Sequence, residues 1–206
     1  MDEAPATAGS AAKAQLREDL RRSRALLDEE ALRANARVVA ESLLAEPRVE
    51  QSACVAVYTS FGSEPSTRAL RAALRVRGAL VLRPYLMDDG DLDWVDDDRT
   101  LMAAPDPVTG RDAAVHPEGP RLGPDAIGRA DVVVVPALAV TRDGVRLGQG
   151  GGSYDRALTR SPVTAWKVAL LHDGELLAAG AIPREPHDVS VDAVVTPTVG
   201  FLRLPA

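Results

Sequence analysis

The apolar residues near the start of the chain follow helical spacing. Leucines recur on one face between Leu16 and Leu27, which predicts a helix over residues 13–27. Asp28 has the side chain of a helix N-cap, and a second apolar stripe predicts a helix from there to about Glu46. Each predicted helix therefore has one apolar face.

Short apolar runs further along the chain predict buried β-strands. They are too short for helices, and most are rich in β-branched residues; they span residues 54–59, 79–83, 131–136, 168–171 and 193–195. A predicted helix from about Ser66 to Gly78 separates the first two strands, which gives a βαβ unit and therefore parallel strands. The pattern as a whole predicts an α/β fold, a three-layer sandwich with a mostly parallel sheet covered by helices on both faces.

The segments between these elements are less regular. Residues 88–98 are acidic, and we expect a solvated excursion around one edge strand there, because the aspartate spacing lacks the remaining ligands of an EF-hand. Frequent prolines and glycines predict an irregular connection over residues 104–124. A short helix over residues 124–129 and another from about Gly152 to Arg160 complete the predicted elements.

Length, charge and composition narrow the class of protein. A chain of 206 residues fits one domain, so we expect a disordered tail over residues 1–12 and a single α/β domain over residues 13–206. The net charge of −6 argues against nucleic-acid binding, which needs a basic face. No apolar stretch reaches the length of about 18 residues that a transmembrane helix needs, and residues 1–12 lack the features of a signal peptide. We expect a cytoplasmic monomer that does not contact membranes.

Two rare residue types bear on the chemistry. The single cysteine, Cys54, excludes an intramolecular disulfide and is interpreted as a buried thiol in a strand. Lys13 and Lys167 are the only lysines, and every other cationic side chain is an arginine. A position that still holds lysine in such a chain is expected to need a compact ammonium rather than a planar guanidinium.

A glycine-rich loop is the most informative segment. Gly148–Gly152 contains four glycines, whose backbone N–H groups can converge on phosphate oxygens, and a helix that begins at the loop adds its N-terminal dipole. Arg146 and Arg156 flank the loop as charge partners for phosphate, and Asp155 has the carboxylate that Mg²⁺ prefers. The loop is not a Walker A motif, and Ser153 stands where Gly-x-Gly-x-x-Gly has its third glycine. These residues alone leave a phosphate site and a structural turn equally open.

The surroundings of this loop resemble a known signature. Val135–Arg156 is closely similar to the signature of the 5-formyltetrahydrofolate cyclo-ligase (5,10-methenyltetrahydrofolate synthetase) family. Lys13–Arg17 resembles the family's Lys-x-x-Leu-Arg motif, and residues 58–67 resemble a loop in which a glutamate binds folate. Residues 182–192 resemble its Pro-x-x-x-His-Asp-x-x-Val-Asp segment. The resemblance covers nearly the whole chain, from residue 13 to residue 200.

The resemblance implies the site residues, each on its matching motif. The implied catalytic residues are Lys13, Arg146 and Asp155. The implied ATP contacts are Lys13, Ala14, Gln15, Leu16, Arg17, Arg146, Leu147, Gly148, Gln149, Gly150, Gly151, Gly152, Ser153 and Tyr154. The implied folate contacts are Thr59, Phe61, Glu64, Gln149, Gly150, Gly151, Gly152, Ser153 and Tyr154. The implied Mg²⁺ ligands are Asp155 and Asp188.

The resemblance also implies a reaction, in which ATP and 5-formyltetrahydrofolate give 5,10-methenyltetrahydrofolate, ADP and phosphate. Two departures are notable: Ser153 replaces an aromatic residue of many relatives, and Glu175 stands where relatives often have glutamine. They leave open a catalytically altered nucleotide-binding or regulatory paralogue, and a sugar-phosphate isomerase-like enzyme is a third reading. Tyr154 either contacts a ligand or packs in the core, and His187 either supports Asp188 or phosphate or bonds its own turn.

Overall fold

The computed structural model describes residues 8–97, 117 and 119–205. Its helices are α1 (Ala8–Arg24), α2 (Glu29–Leu44), α3 (Pro47–Glu50), α4 (Arg68–Val76) and α5 (Ser153–Leu158), with a 3₁₀ helix over Pro124–Arg129. Its strands are β1 (Cys54–Val57), β2 (Leu80–Leu86), β3 (Leu92–Asp96), β4 (Val132–Val135), β5 (Ala139–Thr141), β6 (Arg146–Leu147), β7 (Trp166–Leu170), β8 (Leu176–Leu177), β9 (Ala193–Thr196) and β10 (Gly200–Arg203). None of the helices in the described part of the chain has both the length and the apolar character that crossing a membrane requires.

The larger sheet has seven strands in the order β10-β9-β7-β4-β1-β2-β3. The five central strands, from β9 to β2, are parallel, whereas β10 and β3 run antiparallel at the two edges. The parallel strands are the five that the sequence predicts, so the mostly parallel sheet is confirmed. The strand order reverses between β1 and β4, because the chain first moves outward to β2 and then builds the other half of the sheet from β4.

Both faces of the central strands are covered. Side chains alternate across a strand, so a continuous apolar run buries one half of its residues on each face. In β4, Val132 and Val134 belong to a core cluster with α2 and α4, whereas Val133 and Val135 belong to one with the 3₁₀ helix and α5. The predicted three-layer α/β sandwich is therefore confirmed.

A second, smaller sheet supports α1. Its strands lie in the order β6-β5-β8, and each has two or three residues. Leu16 and Leu20 of α1 pack against a core cluster that includes Ala139 and Leu147 of this sheet. Strands this short show no period in the sequence, which is why the prediction lacks them. The small sheet holds α1 beside the glycine loop that follows β6.

Two predicted boundaries are corrected. α1 begins at Ala8, so residues 8–12, predicted as part of a tail, are helical, while residues 1–7 lie outside the described part. β2 does not end before Pro84 but continues to Leu86. A proline is tolerated there because β1 pairs with β2 only up to Leu82, so this part of the strand pairs with β3 alone.

The acidic segment is less solvated than predicted. Its predicted edge strand is present as β3, but Trp94 is fully buried in it, and Asp93 and Asp97 are buried as well. Asp97 accepts a hydrogen bond of 2.7 Å from Arg71, so its charge is paired. Most of the connection predicted over residues 104–124 lies outside the described residues.

Candidate active site

A cavity of about 1010 Å³ opens where the loops after β1 and β4 leave the sheet. These loops form its walls together with one face of α1, the glycine loop and the segment around residues 185–188. Ligands of open α/β sheets bind at this position, outside the carboxyl ends of strands where the strand order reverses. The predicted site residues that line the cavity are Lys13, Arg17, Thr59, Phe61, Glu64, Arg146, Leu147, Gly148, Gln149, Gly150, Gly151, Gly152, Ser153, Tyr154, Asp155 and Asp188.

The face of α1 that lines the cavity is cationic. Its basic residues recur at intervals of three or four, which places them on one side of the helix: they are Lys13, Arg17, Arg21 and Arg24. Three residues predicted to contact ATP do not line the cavity: Ala14, Gln15 and Leu16. Ala14 is exposed, Gln15 donates to Asp19 at the surface, and Leu16 packs on the small sheet. The orientation of α1 about its axis therefore places Lys13 and Arg17 in the cavity and the three residues between them outside it.

Lys13 lies against two carboxylates from the far end of the chain. Its buried ammonium donates to Asp188 Oδ2 at 2.8 Å and to Glu185 Oε2 at 3.0 Å. Burial alone would lower the pKa of Lys13, but the two carboxylates outweigh it and raise that pKa. Burial likewise opposes ionisation of Asp188, yet hydrogen bonds from Lys13 and from the Glu185 N–H hold its pKa below the usual value. Lys13 and Asp188 are therefore both charged at neutral pH.

Two arginines of α1 hold the glycine loop. Arg17 Nε donates to Gly148 O at 2.9 Å, and Arg21 donates to Gln149 Oε1 from Nη2 at 2.8 Å and from Nε at 3.2 Å. Gly150 has φ +106°, a conformation that favours glycine, and a Cβ there would contact the Arg17 guanidinium. The loop thus keeps its backbone close to the cationic face of α1.

Arg146 and Asp155 form an ion pair at the two ends of the loop. Arg146 Nη2 donates to Asp155 Oδ1 at 2.6 Å, and Arg146 Nη1 donates to Pro136 O at 3.3 Å. Arg156, predicted as a second charge partner for phosphate, does not line the cavity. It donates to Gly90 O at 2.6 Å instead and so ties the β2–β3 turn to α5. α5 has six residues and is shorter than predicted, which limits the contribution of its dipole.

The two carboxylates predicted to bind Mg²⁺ both line the cavity. Asp155 and Asp188 each use one oxygen to accept a hydrogen bond from a buried cation of the protein. Near Asp188, the ligand atoms of Glu185, His187 and Asp188 lie within 4.8 Å of one another, and the largely exposed His187 ring is 3.5 Å from Glu185. Carboxylate oxygens are the ligands that Mg²⁺ prefers, so the residues present fit this ion.

The loop after β1 places Glu64 in the cavity. The Tyr58 hydroxyl donates to Pro65 O at 2.7 Å, and Thr67 Oγ1 donates to Tyr58 O at 2.7 Å, so the two ends of the loop are held together. Within the loop, the Phe61 N–H donates to Glu64 Oε2 at 2.9 Å. Burial raises the pKa of Glu64 and outweighs the hydrogen bonds that lower it. The surroundings therefore favour a ligand that donates hydrogen bonds to this carboxylate.

The other residues predicted to bind folate differ in their surroundings. Thr59 Oγ1 accepts a hydrogen bond of 3.2 Å from Arg83, and Phe61 is 69% exposed. The Tyr154 ring packs against the core, while its buried hydroxyl has no hydrogen-bond partner among the described residues. Burial raises the pKa of that hydroxyl, so it remains a donor. A buried unpartnered donor beside a cavity is a group that a ligand can satisfy.

Several residues of the site carry little signal in the sequence. Arg24 Nε donates to Glu175 Oε1 at 2.6 Å, and both side chains are buried although 151 residues separate them. Arg24 follows Lys13 by about three helical turns, and this spacing is a signal that places it on the same face as Lys13. Nothing in the sequence marks Glu175 as its partner or Glu185 as a partner of Lys13.

The chain is similar to known proteins over most of its length. The sequence profile of the 5-formyltetrahydrofolate cyclo-ligase family matches residues 9–197. A 5-formyltetrahydrofolate cyclo-ligase of Mycolicibacterium smegmatis is 42% identical over 156 residues, which cover 73% of this chain and 76% of that protein. The 5-formyltetrahydrofolate cyclo-ligase of Escherichia coli K12 is 30% identical over 162 residues, which cover 77% of this chain and 86% of the relative.

Solved structures agree with these matches. The 5,10-methenyltetrahydrofolate synthetase of Aquifex aeolicus superimposes with a TM-score of 0.73 at 25% identity, covering 94% of this chain and 93% of that one. The synthetase of Mycoplasma pneumoniae superimposes with a TM-score of 0.67 at 17% identity, covering 88% and 96%, and supports the fold alone. The family profile and the bacterial relatives together show that this chain belongs to the 5-formyltetrahydrofolate cyclo-ligase family.

Proposed function

We propose that this chain uses ATP to convert 5-formyltetrahydrofolate to 5,10-methenyltetrahydrofolate, with release of ADP and phosphate. The observation that carries the proposal is a single cavity that holds groups suited to both substrates. Lys13, Arg17 and Arg146 supply cations for phosphates, and Glu64 supplies a carboxylate for the pterin ring. One chain provides all of these groups, which is consistent with an active monomer.

Binding of Mg·ATP would exchange the partners of two ion pairs. Lys13 with Asp188 and Arg146 with Asp155 each join a cation suited to phosphate to a carboxylate suited to Mg²⁺. With phosphate oxygens at the two cations, Asp155 and Asp188 would be free to hold Mg²⁺, and the ion would supply positive charge to the phosphates. The cavity thereby keeps its charges paired with and without the nucleotide.

Glu64 would anchor the pterin ring of the folate. An aminopyrimidinone edge presents two N–H donors side by side, which match the two oxygens of a carboxylate. The Phe61 N–H already fixes one of these oxygens, so the carboxylate is oriented before the ligand binds. The unpartnered hydroxyl of Tyr154 is a further donor for the substrate, and the exposed Phe61 ring offers a surface for stacking.

The reaction requires activation because an N-formyl oxygen is a poor leaving group. Transfer of the γ-phosphoryl group of ATP to that oxygen gives an imidate phosphate and ADP. N10 of the folate then attacks the formyl carbon and loses its proton, and departure of phosphate leaves the methenyl bridge. The protein mainly positions the reactants and stabilises charge. Lys13 and Arg146 would act at the phosphates, and Glu64 would turn the formyl oxygen towards them.

The alternative of a catalytically altered paralogue rests on two departures from the family pattern. Glu175 is buried against Arg24 and does not line the cavity, so this departure concerns a buried ion pair rather than a ligand contact. Ser153 lines the cavity, so the cavity wall lacks the aromatic ring that many relatives have at this position. Neither change removes a charged group proposed to bind ATP, Mg²⁺ or the pterin. The other alternative, a sugar-phosphate isomerase-like enzyme, would need no nucleotide.

The stoichiometry of the products tests the proposal. We expect equal amounts of ADP, phosphate and methenyltetrahydrofolate, and none of them when 5-formyltetrahydrofolate is omitted. Chromatography measures ADP, and the near-ultraviolet absorbance of the methenyl product measures turnover. Nucleotide binding without turnover would favour the altered paralogue, and product formed without ATP would contradict the proposed mechanism.

A further inference from the structure

A buried set of polar contacts joins α1 to the turn between β7 and β8. Arg24 Nε donates to Glu175 Oε1 at 2.6 Å, and Arg24 Nη2 donates to Glu175 Oε2 at 2.8 Å and to Ala137 O at 2.7 Å. Arg24 is 3% exposed and Glu175 is 4% exposed. Such a two-pronged pair fixes the plane of the guanidinium as well as its position. α1 therefore cannot slide or rotate without breaking a buried ion pair.

The contacts continue from this turn to the loop after β1. Glu175 Oε2 also accepts a hydrogen bond of 2.8 Å from the His172 N–H, and His172 Nε2 lies 2.8 Å from Ser63 O. A carbonyl oxygen can only accept, so Nε2 carries the hydrogen and donates. Ser63 directly precedes Glu64. His172 thus holds the peptide group that leads into the carboxylate proposed for the pterin.

Both ends of this set of contacts face the cavity. Arg24 shares the cavity-lining face of α1 with Lys13, and Ser63 lines the cavity next to Glu64. His172 and Glu175 do not line the cavity, so they can act only through the groups they hold. The contacts therefore set the position of the loop relative to α1. When a protein brings two substrates together, a misplacement of about 1 Å costs up to about 100-fold in rate.

We propose that His172 is a positioning residue for the folate substrate: through Ser63 it keeps Glu64 aligned with the phosphate-binding face of α1. This inference rests on the proposed function, because it takes Glu64 to bind the pterin. Loss of the Nε2 donor would release the middle of the loop, while the hydrogen bond from Tyr58 to Pro65 would still hold its ends. The folate would then bind less tightly, whereas ATP would keep its contacts with α1.

Two amide variants of His172 test this role. The Nε2 donor of glutamine lies about as far along the side chain as His172 Nε2, whereas asparagine is one methylene shorter and does not reach Ser63 O. We expect His172→Asn to raise the folate KM about tenfold and to lower kcat, with the ATP KM changed less than about twofold. His172→Gln should restore both KM values to within about twofold of the wild type.

Thermal unfolding and circular dichroism of the variants separate positioning from folding. If His172→Asn does not fold, His172→Met replaces it, because methionine fills the volume of the ring without a donor. The same rise in the folate KM is expected for His172→Met. Equal folate KM values for the asparagine and glutamine variants would overturn the positioning role, and so would equal rises in the folate and ATP KM.

The wild-type protein separates this inference from the proposed function. Calorimetric binding of 5-formyltetrahydrofolate without turnover would contradict the proposed function alone, and the folate dissociation constants of the same variants would then test His172. A tenfold weaker constant for His172→Asn alone would support its role. Absence of folate binding by the wild type would overturn both.

Discussion

The Lys13 ammonium lies 2.8 Å from Asp188 Oδ2, although 175 residues separate the two in sequence. This contact joins α1 to the segment that precedes β9, and a second pair, Arg146 with Asp155, spans the ends of the glycine loop. Each pair joins a cation to a carboxylate inside the cavity before any ligand binds. Under the proposed function, the phosphates and the Mg²⁺ ion of the nucleotide would replace the partners within these two pairs.

Replacing Lys13 by methionine tests its role at the phosphates. The ammonium would be lost, and Asp188 and Glu185 would then repel the phosphates, so kcat/KM for ATP should fall about 100-fold or more. Steady-state kinetics with varied ATP measures the effect. Lys167→Met is the control, because Lys167 lies outside the cavity and its loss should leave the kinetics unchanged. Unchanged ATP kinetics in Lys13→Met would remove Lys13 from the proposed site.

Removal of the Asp155 carboxylate should abolish turnover with Mg²⁺. We expect Asp155→Ala to lose about 100-fold or more in kcat, because a ligand of the ion is gone and Arg146 loses its partner. Circular dichroism should show that Asp155→Ala is folded. Asp155→Asn keeps an oxygen that can accept a hydrogen bond from Arg146, so it replaces Asp155→Ala if that variant is unstable. Asp125→Ala changes a carboxylate that is 95% exposed outside the cavity and should be active. Full activity in Asp155→Ala would rule out the metal assignment.

Loss of the Glu64 carboxylate should change the KM for folate far more than the KM for ATP. Because Glu64 is proposed to contact the pterin and no phosphate, Glu64→Ala should raise the folate KM at least about tenfold and leave the ATP KM within about twofold. Both KM values are measured on the same variant, so their ratio controls for partial unfolding, which would not act on one substrate alone. A similar rise in both values would contradict a specific role at the pterin.

The stability of the protein should depend on pH through His172. Burial holds the pKa of His172 below the usual 6.5, and its Nδ1 has no hydrogen-bond partner among the described residues, so the folded ring is neutral. The unfolded ring gains a proton as the pH falls through 6.5, so acid favours the unfolded chain. The free energy of unfolding should therefore fall below pH 6.5, by at most about 1.4 kcal/mol per pH unit, until the lowered pKa is reached.

Urea unfolding of the wild type and of His172→Gln measures this contribution. Glutamine does not titrate, so the variant should show a smaller pH slope between about pH 5 and pH 7. Identical slopes for the two proteins would assign the pH dependence to other groups.

The parallel sheet could be predicted because its signal is local. A run such as Val132–Val135 is apolar at every position, which is the pattern of a strand buried on both faces. The small sheet that seats α1 could not be predicted, since β6 and β8 have two residues each and show no period. The start of α1 could not be predicted either, because Ala8–Ala12 has small residues without an apolar stripe.

The candidate site was predictable only in part. Helical spacing places Lys13 and Arg17 on one face, but the same motif contains Leu16, which the fold turns towards the small sheet. The glycines alone fit a phosphate site and a structural turn equally well. The contacts of His172 and Glu175 depend on the tertiary fold, which brings together residues more than 100 positions apart. Sequence spacing carries no signal for such contacts.

Cyclisation of 5-formyltetrahydrofolate tests the central claim most directly. Purified protein is mixed with 5-formyltetrahydrofolate, ATP and Mg²⁺, and the near-ultraviolet absorbance of 5,10-methenyltetrahydrofolate is followed while each component is omitted in turn. We predict a rise in absorbance only in the complete mixture, accompanied by an equal amount of ADP. The proposed function would be contradicted if folded protein in the complete mixture gave no rise in absorbance, or if the absorbance still rose without ATP.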